Sequence, residues 1–207
     1  MKRFLTLRGV IIFLTGVLFA VYSVYNIYII VKDSDTIRAE GILISGLLAL
    51  IYAIFAFFAF SAGAQVNDIR FLLGRRIALI VALLSAFGIK MRAVGAIVSF
   101  ISFSDMFTVW YGGSFVMTEI ALLFLIVYYV FVAKRIELNA NPPIALQIIA
   151  VVFFSLSFVF EMILLFTYGI GLEGSALRTI IFRPVFYLGF IGLSVYFMLP
   201  PPQPNKA

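Results

Sequence analysis

The sequence predicts an all-α integral membrane protein, a six-transmembrane-helix bundle with N and C termini cytoplasmic. Three observations carry that expectation. Of 207 residues, 64% are hydrophobic and 12% charged, whereas a soluble domain is nearer half apolar and a quarter charged. Several apolar runs approach the roughly 20 residues that cross a hydrocarbon core of about 30 Å. Basic residues gather at alternate ends of those runs, as the positive-inside rule requires.

The spans follow in order, forming a single membrane domain over residues 1–199. Lys2, Arg3 and Arg8 precede an apolar run over 9–31. That run is too long for the h-region of a cleaved secretory signal, so it reads as a first span. The loop over 32–40 is short and slightly acidic. A second span covers 41–64, and the basic loop 65–76 follows it. In the third segment Lys90 and Arg92 interrupt an apolar stretch. Residues 77–89 alone are too short to cross at 1.5 Å per residue, whereas 77–103 is sufficient. An interfacial or re-entrant course for 93–103 stays open. The loop Ser104–Gly113 leads to a fourth span over 114–133, which stops at Lys134 and Arg135. Asn141-Pro142-Pro143 opens a fifth span over 143–170, since proline suits a first helical turn. The sixth covers 176–199, and residues 200–207 form a Pro-rich cytoplasmic tail.

Charge counting fixes the orientation. One side collects Lys2, Arg3, Arg8, Arg70, Arg75, Arg76, Lys134, Arg135 and Lys206 against Asp68 and Glu137. The other has Lys32 and Arg38 against Asp33, Asp35, Glu40, Asp105 and Glu173. Both termini therefore read as cytoplasmic, in a cell (inner or plasma) membrane. Splitting the third segment into two spans would move Lys134 and Arg135 outside, and is rejected for that reason. Tyr22, Tyr25 and Tyr28, with Trp110 and Tyr111, read as interfacial anchors. Ala49, Ala53, Ala56 and Ala59 form a small-residue stripe suited to close helix packing.

Six ionisable residues sit inside the apolar stretches: Lys90, Arg92, Glu119, Glu161, Arg178 and Arg183. Charges in hydrocarbon pair with one another or line a wet cavity. Helical rise places Lys90 and Arg92 about 20–24 Å above the inner end of the third span, and Glu161 about 27 Å up the fifth. Glu119 falls about 8 Å, and Arg183 about 10 Å, below the outer ends of the fourth and sixth spans. Four helices thus bring Lys90, Arg92, Glu119, Glu161 and Arg183 to one outer-half layer, while Arg178 snorkels to the surface. Glu161 is expected to pair with Lys90 or Arg92, and Glu119 with Arg183. The surplus cations predict an outward-facing, positively charged site for binding or transporting a small anionic or amphipathic solute. Pro184 removes a backbone donor beside Arg183 and loosens the sixth helix there.

Absences narrow the chemistry. With no cysteine and no histidine, activated-thiol, Ser–His and most metal-hydrolase arrangements are unavailable. No P-loop, dinucleotide fingerprint or nucleophile elbow occurs. No enzymatic activity, metal or cofactor is expected. The basic clusters flank apolar spans, so the net charge of +6 does not imply nucleic acid. Expected partners are membrane lipids, the anionic solute, and partner membrane subunits or further copies of the chain. The alternative function is a non-catalytic membrane subunit that scaffolds or stabilises a larger membrane complex.

Overall fold

Helices α1 (Leu7–Lys32), α2 (Ala39–Ala64), α3 (Ile77–Ile89), α4 (Met106–Val127), α5 (Ile144–Tyr168) and α6 (Gly174–Met198) form the computed structural model of the chain. It describes residues 7–32, 39–64, 77–89, 91, 106–129, 144–168 and 174–199. These described residues are all-helical, and every helix except α3 is long and apolar enough to cross a membrane. At 1.5 Å per residue α3 alone reaches only about 20 Å. The predicted continuation over 92–103 lies outside the described residues.

Each helix hides one stripe. On α1 the buried positions are Ile12, Thr15, Gly16, Phe19, Tyr22, Ser23, Tyr25 and Asn26, a helical periodicity that leaves Val17, Val21 and Val24 outward. On α5 they are Gln147, Ala150, Phe154, Ser157, Glu161 and Leu164. On α3, Leu79, Ala82, Leu83 and Ala86 turn into the same core. α1 packs between α2 and α6, α6 also packs on α5, and α5 on α4.

Lipid tails are as apolar as leucine, so burying hydrocarbon does little to join helices in a bilayer; close fit and polar contacts must do it. Aromatic rings supply much of that fit. Phe19 of α1 meets Phe55 of α2 at 5.1 Å and Phe190 of α6 at 5.0 Å. Tyr22 stands edge-on to Tyr52 at 4.7 Å. Such pairs contribute about 0.5–1.5 kcal/mol each beyond their area. Glycines let the backbones approach. A Cβ at Gly192 of α6 would collide with the Thr15 hydroxyl, and one at Gly189 would sit 2.9 Å from the Phe19 ring. On the other flank of α1, the Ser23 hydroxyl donates to the Ala49 carbonyl at 2.7 Å.

Several expectations are corrected. α4 starts at Met106, so Trp110 and Tyr111 belong to a helix and not to a loop. Gly112-Gly113 resembles a turn signal, but Gly113 lies inside α4, where a Cβ would come within 2.8 Å of the Phe160 ring. Tyr22 and Tyr25 point into the core, and only Tyr28 is exposed. Steps of three residues drift backwards by about 60° each on a helix of 3.6 residues per turn, which carries the third ring out of the stripe. In the alanine stripe Ala49, Ala56 and Ala59 are buried, but Ala53 is exposed. α6 runs unbroken through Pro184.

Candidate functional site

Glu161 is the centre of a polar seam between α4, α5 and α6. It belongs to the buried stripe of α5 and is 0% exposed. Its Oε1 accepts from Arg183 Nη1 at 2.8 Å and from the Ser114 hydroxyl at 2.8 Å. The Tyr187 hydroxyl, one turn beyond Arg183 on α6, donates to the same oxygen at a longer 3.4 Å. Glu161 Oε2 makes no hydrogen bond.

Arg183 is fixed on several sides. Nη2 donates to the Tyr111 hydroxyl at 2.8 Å. Its guanidinium carbon lies 4.5 Å from the centre of the Tyr111 ring and 4.4 Å from that of Phe115. Tyr111 and Phe115 are one turn apart on α4, so both rings reach the same cation. Desolvated cation–π contacts contribute about 2 kcal/mol. The two hydrogen bonds engage two of five guanidinium N–H donors.

Hydroxyls extend the seam along α4 and α5. Ser114 has one proton and two acceptors in reach, Glu161 Oε1 and the Tyr111 carbonyl at 2.9 Å. Thr118 lies 2.6 Å from the Ser114 carbonyl and 3.1 Å from the Ser157 hydroxyl. Ser157 donates to the Phe153 carbonyl at 3.0 Å. These back-bonds satisfy hydroxyls that face no water.

The structure brings together Glu161 and Arg183 of the five predicted site residues. Their pairing differs from the one expected: Arg183 is held by Glu161, not Glu119. Glu119 is buried on α4, but Ser114 is the α4 residue level with Glu161. Five residues further along, Glu119 lies about 7 Å deeper. Because α4 begins at Met106, Glu119 is about 20 Å from its start and leaves the common layer. Lys90 and Arg92 lie outside the described residues, as does the side chain of Arg178. The described embedded charges are therefore one cation and two carboxylates, and any positive excess rests on Lys90 and Arg92.

Sequence reasoning missed Tyr111, Ser114, Thr118, Ser157 and Tyr187. One signal was present: Ser157 lies four residues before Glu161, and Tyr187 four after Arg183, each one turn from a charge and on its face. No protein-family model, curated protein or solved structure matches the chain.

Proposed function

We propose that the chain is a non-catalytic membrane protein of the inner or plasma membrane, binding and passing a small anionic or amphipathic solute, with Arg183 as its recognition group. The guanidinium geometry carries this reading. Glu161 and Tyr111 fix the plane of Arg183, two rings cover it, and its unused N–H edge donors suit a carboxylate or phosphate oxygen. Arg183 retains 7% exposure, while its counter-ion Glu161 has none. Lys90 and Arg92 would add attraction. Charge counting supports cytoplasmic termini and, with them, an outer-half position for the Arg183 layer.

Removing Arg183 alone strands a buried carboxylate, so the informative variant is the doubly neutral E161Q/R183Q. Binding of hexanoate and hexyl phosphate to the purified chain in nanodiscs should be lost in that variant and in Lys90→Gln, with the fold retained. Binding that survives both changes overturns the proposal.

The scaffold alternative draws on the outward face of α1. There Val17, Val21, Val24 and Tyr28, with Phe60 and Phe182 at the flanks, surround an apolar groove of about 650 Å³. Co-purification of a membrane subunit at fixed stoichiometry, lost on Val21→Trp, would favour that reading over solute binding.

A further inference from the structure

The buried stripe of α5 carries a second polar level at its opposite end. Gln147 is 0% exposed, and neither amide atom makes a hydrogen bond. Helix register identifies its neighbours. On α4 and α5, Ser114 is level with Glu161 and Thr118 with Ser157. Continuing step for step brings Tyr128 level with Gln147. On α5 and α6, Glu161 is level with Arg183 and Phe154 stacks on Phe190. The same interval again sets Gln147 level with Phe197. The Tyr128 and Phe197 rings meet at 5.5 Å. One turn up α6 lies Ser194, which is fully buried. Its hydroxyl and that of the buried Tyr128 also make no hydrogen bond.

Three helices thus bring unpaired polar groups to one level. At the outer end the comparable groups of Ser114, Thr118, Ser157 and Arg183 are bonded. Between the two levels lies an apolar layer that includes Leu122, Leu125, Ala150, Phe154 and Phe190. A buried donor or acceptor without a partner favours any conformation that gives it one. At this level the nearest source is water at the end of the bundle where α1 starts and α6 ends. The helices there need separate only locally, and local openings lie far below global unfolding in free energy.

We propose that this end opens to water between α4, α5 and α6, forming a polar vestibule lined by Gln147, Tyr128 and Ser194 with Phe197 as its movable plug. Phe197 suits that role because its ring bridges elements, touching Phe58 of α2 as well as Tyr128 and Tyr129. Arg8, whose guanidinium lies 4.4 Å from the centre of the Tyr196 ring, stands beside the mouth. The vestibule takes water and uncharged hydrogen-bonding groups, since its lining offers hydroxyls and an amide. It goes beyond the Arg183 reading and stands on separate residues.

The chain has no cysteine, so Gln147→Cys, Ser194→Cys and Ala150→Cys each introduce one thiol. The full chain in nanodiscs is treated with a polar maleimide that does not enter hydrocarbon. The first two variants should react at least about tenfold faster than Ala150→Cys, as a locally opening segment does relative to a globally protected one. Phe197→Ala should accelerate both further. Rates no faster than that of Ala150→Cys in folded protein overturn the vestibule, and a Phe197→Ala variant without effect overturns the plug. If Gln147→Cys fails to fold, Ser194→Cys decides alone.

Discussion

At the scale of single residues, the ion pair shows why partner identity matters more than charge count. Glu161→Leu leaves the Arg183 guanidinium buried without its counter-ion, and breaking such a pair costs about 3–5 kcal/mol. The double variant Glu161→Leu/Arg183→Leu should recover most of that loss, because two apolar side chains of similar bulk replace the pair. Thermal unfolding in detergent, run as a double-mutant cycle, measures the coupling. Gln147→Leu should act in the opposite direction. It removes an unpaired buried amide and should raise the melting temperature, by an amount equivalent to about 1–3 kcal/mol. Glu161 and Arg183 were legible in the sequence because a charge in an apolar run has few innocent explanations. Gln147, Ser114 and Ser157 were not, since serine and glutamine cost little in such runs and their partners lie on other helices.

At the scale of helices, the edges were legible where polar loops abut apolar runs. The expected 9–31, 41–64, 143–170 and 176–199 differ by about two residues from α1, α2, α5 and α6, and helix ends are defined no better than that. α4 failed at its start because composition cannot distinguish a glycine that makes a turn from one that admits a neighbour's ring. Its earlier start changed the reading of the site, moving Glu119 inward by two turns. Close approach also governs the α1–α6 contact. Gly192→Ala should destabilise it by about 1–3 kcal/mol, the usual cost of overpacking. Thr15→Ala on that background should restore much of the loss by removing the obstructing hydroxyl. Chemical unfolding of the three variants measures this rescue, and an equal loss with and without Thr15 would show that another contact is responsible.

At the scale of the whole molecule, composition foretold a helical chain made for a membrane, while the order of packing could not be read from it. Hydropathy marks which segments are apolar but not which of them touch. Orientation can be tested independently of any fold detail. A cytoplasm-dependent reporter placed after Lys206 or between Arg135 and Asn141 should be active, and one placed between Lys32 and Arg38 inactive. The seating of α1 also sets an order of events. Its Ser23 side joins α2, the next helix to be made, so that hairpin can close early during synthesis. Its Thr15 side, where Gly192 approaches, must wait for α6, the last of the described helices. Until then Phe19 has its α2 partner Phe55 but lacks Phe190, and the bundle stays open along one seam. A chain stalled on the ribosome before α6 should therefore hold a protected α1–α2 pair beside a protease-sensitive remainder, and only the arrival of Gly189 and Gly192 should close it.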